Sequence, residues 1–267
     1  MTIDILKAAR EILDKEILAL KNSRRALGDG FVKAVRMIHR CKGKVVVTGI
    51  GKSGLIGQKV AATMASTGTT AIFMHGVDAL HGDLGMVGPD DMVLALSRSG
   101  QSVELLELLA PLRRIGARVV ALVGNADSDL AKGADCVICL DVPHEADHLD
   151  LAPTASALAA LGVGDALAGI LSQMKHFKHE DFAKYHPGGL IGRRLLLTVK
   201  DLMHSGDEHP MVTPNASIDD VVAELTEKRL GGVNVVDGRR SRKLVGFITE
   251  GDLRRAMARR EEFFDLK

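Results

Sequence analysis

The sequence predicts an α/β protein in two parts, a doubly wound five-stranded parallel sheet followed by a small α+β unit. Two observations predict it. Five short apolar runs, KVVVTG, AIFMHG, MVLALS, RVVALVG and CVICLD, alternate with helical segments such as SGLIGQKVAATMAS and SVELLELLAPLRRIG. Continuous Val/Ile/Leu runs separated by helices mark a parallel sheet covered on both faces, here of the flavodoxin-like kind. From about Thr198 the texture changes to strand or turn, helix, strand, strand, helix. The 267 residues allow one large or two small domains, each able to bury a core.

The elements follow in order. Two amphipathic helices fill a segment of residues 1–42: Ile5, Ala9, Ile12 and Ile17 share one apolar stripe, and Phe31, Val35 and Ile38 another. The five strand–helix units come next, then a long apolar helix, TASALAALGVGDALAGILSQMK, and the segment HEDFAKYHPGGLIGRRL. The first domain is expected over 1–197 and the second over 198–267. So short a second unit has a marginal core of its own and is expected to pair with another copy.

Charge and cysteine use exclude several classes. With 35 basic and 34 acidic residues the net charge is +1, and no cluster is dense enough to track a nucleic acid or a membrane surface. The first twenty residues mix charged and apolar side chains at helical spacing, unlike a signal peptide or a membrane span, so the expected location is the cytoplasm. Cys136 and Cys139 spell C-x-x-C inside a strand, whereas redox or zinc chemistry uses that spacing at a turn or helix start; Cys41 stands apart.

The stretch VVVTGIGKSG, Val45 to Gly54, resembles two nucleotide motifs and satisfies neither. A P-loop needs glycine where Val46 stands, and a dinucleotide site needs a carboxylate where the second strand ends in His75. What remains is a glycine turn feeding a helix N-terminus, with the Ser53 hydroxyl and the Lys52 charge available to a phosphate. A second loop, ALSRSGQSVELLELL, follows another strand and offers Ser97, Ser99 and Ser102 at a helix start. Two such loops at carboxyl ends of parallel strands converge on one crevice, and hydroxyls suit a phosphate monoester.

TGIGKSG, the serine loop, ALHGDLGM, LAPTAS and YHPGGLIGR together resemble the sugar isomerase (SIS) domain of the arabinose-5-phosphate isomerases, and GFITEGDL resembles the end of a cystathionine-beta-synthase (CBS) repeat. The resemblance implies interconversion of D-ribulose 5-phosphate and D-arabinose 5-phosphate through an enediol, a first step towards 3-deoxy-D-manno-octulosonate and lipopolysaccharide. It maps the phosphate anchor onto Ser53, Ser97, Ser99 and Ser102, and acid–base work onto Lys52, His81, Glu104, Glu145 and His186. Of these, Glu145 is expected to abstract the proton, His186 to open the ring or protonate an oxygen, and Lys52 to stabilise the enediolate. Glu104 also falls where a carboxylate simply favours the helix dipole.

The resemblance further implies a homotetramer with active sites shared between subunits, His186 reaching a neighbour, and no cofactor. No metal is expected either: His75, Asp78, His81, His144, Asp147 and His148 lack the helical i, i+4 spacing of a zincin, and this isomerisation needs none. Thr249 and Asp252 stand where CBS repeats hold ribose and phosphate, a place where the same pair would cap the following helix. The sequence departs from the family in EADHLDLAP, where Asp147, His148 and Asp150 bring charge near Glu145, in Gln101, and in carrying one CBS repeat rather than two. A non-catalytic sugar-phosphate sensor and an SIS isomerase of another sugar are the alternatives; a sensor needs the serines but not the glutamates and His186.

Overall fold

The computed structural model describes residues 3–187, 197–238 and 243–258. It divides into two compact units, Met1–Leu196 and Leu197–Lys267. The GGLIGR part of YHPGGLIGR lies outside the described residues.

The first unit opens with α1 (Ile5–Ala26) and α2 (Asp29–His39) and continues as β1 (Val45–Gly49), α3 (Gly51–Ser66), β2 (Ala71–His75), α4 (Gly76–Ala79), β3 (Met92–Ser97), α5 (Val103–Ile115), β4 (Arg118–Val123), α6 (Asp129–Gly133), β5 (Cys136–Cys139), α7 (Ala155–Met174) and α8 (His179–Tyr185). The five strands form one parallel sheet in the order β2-β1-β3-β4-β5. Each begins and ends within a residue or two of the apolar run that predicts it. Strand order reverses between β1 and β3, so the crevice at their carboxyl ends is the switch point where ligands of such sheets bind.

One face of the sheet packs against α2, α3 and α7, with Val45, Val47, Leu94 and Leu122 meeting Val35, Val60, Met64, Val163 and Leu167. The other packs against α4, α5 and α6 through Val46, Val93, Val119 and Ala121, which meet Leu105, Leu108, Leu112 and Leu130. Alternate residues of a strand point to opposite faces, so a double-sided core needs continuous apolar runs. The same period separates Cys136 from Cys139: three positions apart in β5, they face opposite sides, and Cys136 Sγ donates to the Gly30 carbonyl in α2's first turn. Burial pushes both thiols up, away from the reactive thiolate.

Helix α7 is apolar around most of its circumference, Asp165 excepted, and is long and apolar enough by length and composition to cross a membrane. Ala159, Val163, Leu167, Ala168 and Leu171 are instead part of the protein core, which is what a mostly apolar helix inside an α/β unit does. The stripe expected on α1 behaves differently. Ile5, Ile12 and Ile17 are exposed, and the residues that α1 buries are Ala19 and Ser23. The helix packs Leu20 against Gly162 of α7 and leaves Ile5, Leu6, Ile12, Leu13, Ile17 and Leu18 exposed.

The second unit contains α9 (Val199–Leu202), β6 (Met211–Val212), α10 (Ile218–Lys228), β7 (Gly232–Val236), β8 (Leu244–Thr249) and α11 (Glu250–Met257). Its sheet runs β6-β7-β8, the first pair parallel and the second antiparallel. The buried cluster is small, Val221, Leu225 and Val233. Leu244, Val245 and Phe247 of β8 are exposed.

Candidate active site

The glycine turn after β1 leads directly into α3, so Lys52 and Ser53 occupy its first turn, where free N–H groups point outward. The serine loop after β3 closes as a tight turn. Gly100 N–H donates to Ser97 Oγ at 3.0 Å and Gln101 N–H to Ser99 Oγ at 3.2 Å. Gly100 has φ +65°, and a Cβ there would overlap the Ser128 hydroxyl, so only glycine allows this turn. Ser102 is the N-cap residue of α5, yet its hydroxyl makes no capping bond; it pairs with Ser97 Oγ at 2.9 Å.

The two loops meet. Ser53, Ser97, Ser99 and Ser102 line one cavity of about 410 Å³ at the switch point, together with Arg98, Gly124, Asn125, Leu140, Val142 and Ser156. Beside it a narrower space is lined by Lys52 as well as by Ser53, Ser97, Arg98 and Ser156. The cavity therefore combines five serine hydroxyls, helix-start N–H groups and a guanidinium, a donor set matched to a phosphate.

Glu145 does not line this cavity. Its side chain is fully buried, and its oxygens are taken: Oε2 accepts from the N–H groups of Thr154 at 2.9 Å and Ser156 at 3.0 Å, while Oε1 accepts from the Ser156 hydroxyl and pairs with Arg98 Nε at 3.1 Å. Burial pushes the carboxyl up, but the Ser156 and Thr154 bonds and the Arg98 charge outweigh it and hold it below its ordinary value. These partners surround the carboxylate that the family pattern marks for proton abstraction. In this arrangement it satisfies N–H groups at the start of α7.

The EADHLDLAP departure is also structural. Asp147 accepts from the N–H groups of Leu149, Leu151 and Ala152, and Asp150, at φ +57°, accepts from Glu145 N–H and pairs with His144 Nδ1 at 2.8 Å. These bonds fold the loop on itself.

An SIS domain family matches residues 37–169 and a CBS domain family residues 199–259. The arabinose 5-phosphate isomerase KdsD of Yersinia pestis is 47% identical over 253 residues, which is 95% of this chain and 76% of that protein. The chain belongs to the arabinose 5-phosphate isomerase family. The isomerase of Salmonella typhi is 46% identical over 94% of this chain and 76% of its own length. An Escherichia coli CFT073 protein solved in complex with arabinose 5-phosphate superposes with a TM-score of 0.68 at 40% identity, covering 70% of this chain and all of that one.

Three residues that the isomerase family pattern picks out are not among those that line the cavity. His81 is exposed in the segment after α4. Glu104, half-buried in the first turn of α5, makes no hydrogen bond or ion pair among the described residues. His186 caps the carboxyl end of α8, where its ring stacks on Phe182 at 3.9 Å between centroids and Nδ1 lies 2.9 Å from the Phe182 carbonyl. Conversely, Arg98, Asn125 and Ser156 of this isomerase-family chain line the cavity without having been singled out. For Arg98 the only signal was its place between Ser97 and Ser99.

In the CBS-matching unit, Thr249 and Asp252 form a reciprocal capping box on α11. Thr249 Oγ1 and N–H both donate to Asp252 Oδ2, at 2.6 and 2.9 Å, and Asp252 N–H donates back at 3.2 Å. Those bonds and Arg255 lower Asp252 to about 2. A cavity in this unit of about 750 Å³ is lined by His209, Asp220, Glu224 and Lys228 among others, and by neither Thr249 nor Asp252. The pair that the resemblance marks for a ligand forms this cap.

Proposed function

We propose that the chain is an aldose–ketose isomerase interconverting D-ribulose 5-phosphate and D-arabinose 5-phosphate. One observation carries this reading: a serine-lined, cationic cavity at the switch point of a chain 47% identical to an arabinose 5-phosphate isomerase. Ser53, Ser97, Ser99 and Ser102 hold the phosphate, and Lys52 steadies the negative oxygen of the enediolate. Moving the proton between C1 and C2 falls to Glu104, whose carboxylate is free of the bonds that occupy Glu145. His81 and His186 serve ring opening and proton exchange at the oxygens. The product would feed synthesis of 3-deoxy-D-manno-octulosonate in the cytoplasm.

The enzyme works as a homotetramer in this reading, with His186 completing the site of a neighbouring subunit. Its distance in sequence from the serine loops and its absence from the lining of the cavity support that assignment.

The test is direct. Purified protein given ribulose 5-phosphate should form arabinose 5-phosphate, and Glu104→Gln and His186→Ala should each lower kcat by about 10²–10⁴-fold, the range of a lost acid or base. If the protein binds both sugar phosphates but interconverts neither, the isomerase reading falls and a sugar-phosphate sensor replaces it.

A further inference from the structure

Arg98 is the only charged residue among the described residues that line the 410 Å³ cavity. The serines and helix-start N–H groups are neutral donors, whereas a phosphate monoester near pH 7 carries between one and two negative charges, with its second pKa at about 6. The guanidinium is the group that meets this charge. Its place is fixed from three sides. The Arg98 carbonyl accepts from Gly124 N–H at 2.9 Å. Gly124 approaches so closely that a Cβ there would lie 2.8 Å from the Arg98 oxygen and 3.6 Å from its Cγ. Nε forms an ion pair with the Glu145 carboxylate at 3.1 Å.

That third contact explains why Glu145 is held so firmly. The Glu145 side chain is 0% exposed and the Arg98 side chain 41%, so the pair has a buried negative end and an open positive one. Using Nε leaves the two terminal nitrogens, with four N–H groups, for a ligand; neither has a partner among the described residues. A planar fork held at its inner edge loses little freedom when its outer edge binds phosphate oxygens.

We propose that Arg98 is a substrate-binding residue whose terminal N–H groups hold the sugar phosphate, and that the buried Glu145 is its positioning residue. The assignment rests on the isomerase reading for the identity of the sugar, but not for the phosphate. Titration calorimetry with inorganic phosphate and with arabinose 5-phosphate separates the two, alongside steady-state turnover of ribulose 5-phosphate.

Arg98→Ala should weaken both ligands by about 10- to 100-fold, the scale of a charge-assisted bond, and raise KM in parallel while kcat falls less than about threefold. Arg98→Lys, which keeps the charge without the fork, should lie between. Glu145→Gln should raise KM by several-fold and spare kcat; the collapse of kcat at constant KM that a lost base produces would overturn its positioning role. Because removing Arg98 leaves a buried carboxylate without its ion pair, Arg98→Gln, which keeps a polar N–H donor on that side chain, replaces Arg98→Ala if that variant unfolds. Affinity for inorganic phosphate within twofold of wild type in a folded Arg98 variant, or a wild type that binds neither ligand, overturns the proposal. Normal phosphate binding without turnover of ribulose 5-phosphate overturns only the isomerase reading.

Discussion

At position 145 two physical effects act on one carboxylate in opposite directions. Burial favours the neutral acid; the bonds from Ser156 and Thr154 and the Arg98 charge favour the anion, and they win. Because the folded-state pKa lies below the ordinary 4.5, ionised Glu145 stabilises the fold above that value, and the contribution disappears as pH falls through the lower, folded pKa. Glu145→Gln should therefore be less stable than wild type at pH 7 by urea denaturation, with the gap closing below about pH 4.5 as the wild-type carboxylate protonates. A gap constant down to pH 3 would mean that shape, not charge, holds the site. Four serines of the cavity were legible because each sits in a short local motif after a strand. The Arg98–Glu145 pair was not: its members lie 47 positions apart, and only the fold puts β3's loop beside the start of α7.

Helices and strands read well from the chain because a double-sided core imposes unbroken apolar runs on the strands and a 3.6-residue repeat on the helices that cover them. Elements of one or two turns, α4, α6 and α8, are too short to show a period. On α1 the period was right and its meaning incomplete: a repeat says that a face is apolar, not what covers it. The strands are also tied by polar contacts that no apolar pattern reveals. Asp91, 6% exposed, accepts from the N–H groups of Lys44 and Gly88, both at 2.8 Å, and from Lys44 Nζ at 2.6 Å, joining the starts of β1 and β3. Asp91→Ala strands those donors and should cost about 2–4 kcal/mol in chemical denaturation. It lies at the amino ends of the strands, opposite the cavity, so KM for ribulose 5-phosphate should stay within twofold at temperatures where the variant is folded.

Among the described residues, large apolar side chains are exposed along two elements in particular. Ile5, Leu6, Ile12, Leu13, Ile17 and Leu18 are exposed along α1, and Leu244, Val245 and Phe247 along β8. In the proposed homotetramer further copies of the chain would cover these faces, and the same assembly would bring His186 of one subunit to the serine cavity of another. Subunit mixing distinguishes this from an active site held within one chain. Lys52→Ala and His186→Ala should each be nearly inactive alone. If Lys52 and His186 of a site come from different subunits, random reassembly of the two variants restores an intact pair at about one site in four, and activity rises to about a quarter of wild type. If both residues act within one chain, every site in the mixture carries one defect or the other, and refolding the two variants together gains nothing over refolding them apart.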